Sequence, residues 1–164
     1  MSEKFNELKR ILKTEAAKYK KWYVPTKEQI AHYRKLKKQG YEVNRNYRRG
    51  NFHEAFQNRL VEMAKDYGLT GEKEYRVDKH RYSKTEGYID VLWRTKLKNP
   101  LVAIELDTKN NHSAVEKLAN CSAKYCIWIT IGTNFDLNDF DYLGELALDR
   151  VILESGKEIH FIVV

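Results

Sequence analysis

Three apolar runs between Gly87 and Thr130 constrain the fold more than anything else in the chain. They are Tyr88-Ile-Asp-Val-Leu-Trp93, Leu101-Val-Ala-Ile-Glu-Leu-Asp107 and Cys126-Ile-Trp-Ile-Thr130. Runs this short and this apolar read as central strands of a sheet covered on both faces. Yet Asp90, Glu105 and Asp107 sit inside them, where an unpaired carboxylate is costly. Carboxylates in such places most often hold a metal ion.

The rest of the chain supplies helices around these strands. Phe5, Leu8, Ile11, Leu12 and Ala16 recur at helical spacing, which predicts a helix from Glu3 to about Tyr23 that ends before Pro25. Thr26-Lys-Glu-Gln29 is a capping box for a second helix from Lys27, with Gly40 as its left-handed stop. Residues 41–50 have no periodicity and read as a loop. Phe52, Phe56, Leu60, Met63 and Tyr67 form one stripe of a third helix, closed by Gly68. Glu72 to Asp78 alternates loosely, as an edge strand does, and Lys79 to Glu86 is a polar loop. Ser113-Ala-Val-Glu116 caps a helix that leads into the strand at Cys126. A short helix around Tyr142–Leu148 and a last strand from Ile159 to Val164 complete the chain. Helices before and between strands predict an α/β fold with a central mixed sheet flanked by helices.

Charge divides the chain unevenly. Residues 1–50 hold 15 Lys+Arg against 5 Asp+Glu, whereas residues 51–164 hold 15 against 18. We therefore expect a basic helical extension over residues 1–49 and an α/β core over 50–164. A basic arm beside an acidic site suits an enzyme that works on a polyanion. Arg45, Arg48 and Arg49, interleaved with Tyr47, are the candidates to grip nucleic-acid phosphates. The charged N-terminus lacks a signal-peptide core, and no run approaches the ~20 apolar residues of a membrane span. Two cysteines are too few for a disulfide framework. The expectation is a soluble, cytoplasmic protein with reduced thiols and no membrane partner.

With period two, Ala103, Glu105 and Asp107 share one strand face, extended to Lys109, while Asp90 faces away from Ile89, Val91 and Trp93. If the strands pair with their acidic sides together, Asp90, Glu105 and Asp107 converge. Three carboxylates that close together require a cation, and oxygen ligands alone suit Mg²⁺ or Mn²⁺.

This constellation resembles the PD-(D/E)XK, or restriction-endonuclease-like, nuclease superfamily, in which a strand hairpin carries Asp and then Glu-x-Lys ahead of a helix and a further strand. The resemblance covers roughly residues 50–131. It implies a Mg²⁺-dependent deoxyribonuclease, endo- or exonuclease, acting on DNA and able to work as a homodimer. Asp90 and Glu105, with the Leu106 carbonyl, would then be the metal ligands. Asp107 stands where the lysine is usual, so Lys109, two residues on, is the candidate replacement. Lys117 lies about 130° from the apolar stripe of its helix and is the weaker choice. Glu54 matches the glutamate that the superfamily often carries on the preceding helix, although it points away from that helix's apolar stripe. The alternative is a catalytically inactive nucleic-acid-binding protein on the same fold.

Overall fold

A computed structural model describes residues 3–23, 27–41, 46–77, 87–107, 112–131 and 156–164. In chain order the elements are α1 (Glu3–Tyr23), α2 (Lys27–Lys38), α3 (Asn46–Asp66), β1 (Thr70–Val77), β2 (Gly87–Arg94), β3 (Pro100–Asp107), α4 (His112–Asn120), β4 (Tyr125–Thr130) and β5 (Ile159–Val163). The strands form one sheet in the order β1-β2-β3-β4-β5. The first three pair antiparallel, and β3, β4 and β5 run parallel. The fold is α/β with a mixed five-stranded sheet between helices, as the order of elements in the sequence predicts. The expected short helix around Tyr142–Leu148 lies outside the described residues.

Both sheet faces are covered. On one, Phe5, Leu8 and Leu12 of α1 and Phe56, Leu60 and Met63 of α3 pack against Val91, Trp93, Val102, Ile104, Ile127 and Ile129. On the other, Ala114, Val115 and Leu118 of α4 pack against Ile89, Leu92, Ala103, Cys126 and Trp128. The central strands are apolar on both sides for this reason, whereas β1, at the edge, is mostly exposed. The buried Trp93 indole satisfies its N–H on the Leu60 carbonyl at 2.9 Å. Both cysteines are free and buried. Among the described residues no helix is long and apolar enough to cross a membrane.

Two expectations about the first third of the chain change. α3 begins at Asn46, so Arg48 and Arg49 lie on its first turns and not in a loop; their side chains, and Arg45 altogether, lie outside the described ones. The boundary expected between residues 49 and 50 therefore falls inside α3. Nor is α1 an appendage, since Leu12 and Ala16 are wholly buried in the main core. Glu15, 8% exposed, adds a polar link by accepting from Lys18 and from Arg59 of α3 at 3.3 Å. Leu12→Ala is accordingly expected to lower unfolding stability by roughly 2–5 kcal/mol in a urea titration; an appended α1 would leave the midpoint unmoved.

Candidate functional site

The site begins as a fault in strand periodicity. Lys73 pairs with Val91 and Tyr75 with Ile89 across β1 and β2. Val91 and Ile89, two residues apart, should share a face. Instead Val91 packs toward α1 and α3, and Ile89 toward α4. The strand turns over at Asp90, and opposite it Glu74 adopts a φ of 54°, a left-handed conformation uncommon outside glycine. The expected single acidic face on β2 and β3 therefore does not form.

What forms is an exchange of hydrogen bonds across two parted strands. The β2–β3 pairing runs from Val91↔Ile104 toward the hairpin end and does not extend to Asp90 and Glu105. There the Asp90 N–H donates to Glu105 Oε1 at 3.0 Å, and the Leu106 N–H donates to Asp90 Oδ2 at 2.7 Å. Each carboxylate takes a backbone donor from the other strand in place of a ladder bond.

The two carboxylates then reach opposite layers. Asp90 Oδ1 lies 3.3 Å from His53 Nε2 and 3.4 Å from Gln57 Nε2, both on α3. Gln57 is buried, and its amide also donates to Glu74 Oε1 at 2.8 Å and to the Asp90 carbonyl at 3.2 Å. Glu105, only 2% exposed, pairs through Oε2 with Lys117 Nζ of α4 at 2.5 Å. Lys117 donates as well to the Tyr88 carbonyl at 2.9 Å. Its stem lies over Gly87, where an added Cβ would stand 2.8 Å from Lys117 Cγ and Cδ.

Electrostatics follow from burial and from like charge. Burial, reinforced by the charge of Asp90, holds the Glu105 carboxyl well above the usual carboxylate range, and Lys117 offsets only part of this. His53 is shifted upward, chiefly by its hydrogen bond to Asp90 and against the effect of its own burial, with the charges of Asp90, Glu74 and Asp107 adding to it.

The sequence candidates fare unevenly. Asp90 and Glu105 are brought together. Asp107 is not part of a trio: its Oδ2 accepts the indole N–H of buried Trp128 at 3.0 Å. Among the described residues no three His, Cys, Asp or Glu side chains stand close enough together to hold a metal ion, which corrects the expected convergence of three. Glu54 is exposed on α3; its neighbour His53 and Gln57 are the α3 residues that meet Asp90. Lys109 lies outside the described residues. Lys117, set aside on its helical angle, is the lysine that meets Glu105. The signal that could have found it is Gly87, a residue without a side chain at the point where a long lysine stem must cross β2. His53, Gln57 and Glu74 had no comparable signal, because the strand reversal that gathers them is invisible to a period-two reading.

No family model matches the chain, and no curated protein matches it. Among solved structures, a crystal structure of a repair endonuclease from Pyrococcus abyssi is similar to it with a TM-score of 0.31 and 17% identity. That similarity covers 76% of this chain and 48% of the other, so the chain spans about half that protein's length.

Two outcomes follow from the geometry. A carboxyl held above its unfolded range opposes folding once it must ionise, so stability is present at low pH and is lost as pH rises from about 4.3. Glu105→Gln should remove that loss: between pH 4.5 and 8 the metal-free variant gains stability relative to the parent chain, read from unfolding midpoints at each pH. Gly87→Ala should destabilise by roughly 1–3 kcal/mol through overpacking on Lys117. In a Lys117→Ala background the same change should cost close to nothing, a coupling that a double-mutant cycle measures.

Proposed function

We propose that this chain is a metal-dependent nuclease that hydrolyses phosphodiester bonds of DNA. The observation that carries the reading is the buried Glu105 beside Asp90 on parted strands, with the Lys117 ammonium 2.5 Å from its Oε2. Burying a carboxylate next to another is unfavourable for folding alone and is characteristic of sites built to receive a cation.

The donors fit Mg²⁺ or Mn²⁺. Asp90 and Glu105 offer only oxygen, and Mg²⁺ is commonly held by one or two carboxylates together with substrate phosphate oxygens. In this reading Asp90, Glu105 and the Leu106 carbonyl hold the metal. A bound ion of this kind polarises a phosphoryl oxygen and lowers the pKa of an attacking water. Lys117 faces the same carboxylate and can stabilise charge that develops on the phosphate. His53 and Gln57 orient Asp90 from α3. Asp107, tied to Trp128, supports β4 and is not assigned a part in the chemistry. Arg45, Arg48 and Arg49 are assigned to the DNA backbone. The chain would then be a member of the PD-(D/E)XK superfamily whose lysine has moved from β3 to α4.

A second reading, a nucleic-acid-binding protein without catalysis, is favoured by one observation. Glu105 Oε1 and Oε2 and Asp90 Oδ2 each already accept from a donor of the protein itself. Labelled duplex and single-stranded DNA incubated with Mg²⁺ or Mn²⁺ separates the two. Cleavage is expected, with Glu105→Ala and Asp90→Ala each lowering it more than roughly 100-fold, beyond the usual cost of losing an outer-shell partner. Full activity in Glu105→Ala, or salt-dependent binding with no cleavage by the parent chain, would sink the nuclease reading.

A further inference from the structure

We infer that Tyr88 and Arg76 form a nucleotide subsite that receives an unpaired base next to the bond being cut. This rests on the nuclease reading for the bond and goes beyond it in naming the form of the DNA. Tyr88 is 49% exposed, although it lies in a strand whose large apolar side chains, Ile89, Val91, Leu92 and Trp93, are all buried. Its backbone follows Gly87 and precedes the reversal at Asp90. Because Ile89 packs toward α4, alternation turns Tyr88 to the opposite side, the side on which Asp90 meets His53 and Gln57. Two residues of strand, about 7 Å, separate Tyr88 from Asp90. That is on the order of one nucleotide's backbone repeat.

Two further features set this ring apart from an incidental surface aromatic. The Tyr88 carbonyl accepts from the same Lys117 ammonium that pairs with Glu105, so its backbone is tied to the carboxylate site by one side chain. Directly across β1 stands exposed Arg76, the register partner of Tyr88, placing a guanidinium and an aromatic ring on one face as cross-strand neighbours. A π-face beside a cation is the chemistry that takes a nucleobase and its phosphate, and every base presents a face to stack. A base inside a duplex has both faces covered by its neighbours. The occupant is therefore a single strand, or an unpaired end or flap, rather than continuous duplex.

The test uses the full chain in EDTA, so that binding is read without metal-dependent cleavage. Single-stranded oligonucleotides carry one 2-aminopurine, whose fluorescence is quenched on stacking, at successive positions. Quenching at one or two adjacent positions is expected for the parent chain and for Tyr88→Phe, and its loss for Tyr88→Ala. Affinity for the single strand should fall roughly 5- to 100-fold in Tyr88→Ala, while affinity for blunt duplex changes little. Arg76→Gln should weaken single-strand binding and lessen its salt dependence. Equal quenching and affinity in Tyr88→Ala, or no single-strand binding by the parent chain, overturns the subsite. If Tyr88-dependent stacking appears in a chain that does not cleave with Mg²⁺ or Mn²⁺, the subsite stands and the nuclease reading falls. Cleavage with unaltered single-strand binding in Tyr88→Ala gives the reverse.

Discussion

Much of the site depends on one exchange, in which the Asp90 N–H reaches Glu105 Oε1 and the Leu106 N–H reaches Asp90 Oδ2. Parting β2 from β3 leaves backbone donors without a ladder partner, and buried donors must be satisfied. Two carboxylates meet that need while remaining close to each other. At the parting each carboxylate satisfies a backbone donor of the opposite strand, and the two side chains leave toward opposite layers of the fold. A feature that looks like a defect in the sheet is thus the device that concentrates acidic oxygen in a covered place.

Each layer of the fold contributes to one side of this gap. α3 brings His53 and Gln57 to Asp90, and Gln57 also holds Glu74 across β1. α4 brings Lys117 to Glu105. The helices are in turn fixed by the apolar faces they bury, α3 with α1 against one side of the sheet and α4 against the other. Removing one partner of a buried ion pair leaves an uncompensated charge, so the Glu105–Lys117 contact ties the placement of α4 to the state of the site. Stability and the proposed chemistry pull against each other here. The cost of desolvating Glu105 is carried by the rest of the core.

The sequence-level reading succeeded where a residue's role follows from local spacing. The apolar stripe of α1, the left-handed glycine at Gly40 with φ 85°, and the strands at Gly87, Pro100 and Tyr125 all depend on neighbours within a few residues. It failed where reach or backbone irregularity decides. The helical angle of Lys117 describes where its Cβ points, but a four-carbon stem can cross to a neighbouring strand and carry the ammonium with it. The angle of Glu54 gave the right exposure, yet the adjoining His53 is the residue that meets Asp90. For Asp107 the face was right and the partner was missed, because Trp128 comes to it only through the parallel pairing of β3 with β4.

By itself, then, the sequence determined an α/β chain with buried central strands, a basic first third, and two carboxylates, Asp90 and Glu105, that an apolar strand has no reason to carry. Those are consequences of composition and period, which act at short range. The tertiary structure alone decided that β2 reverses at Asp90, that Glu74 turns left-handed opposite it, and that Lys117 rather than a residue of β3 faces Glu105. Each of these is fixed by contacts between segments 15 or more residues apart, such as Asp90 with Glu105 and Gln57 with Glu74. Period and composition, which act within a few residues, do not specify contacts of that range.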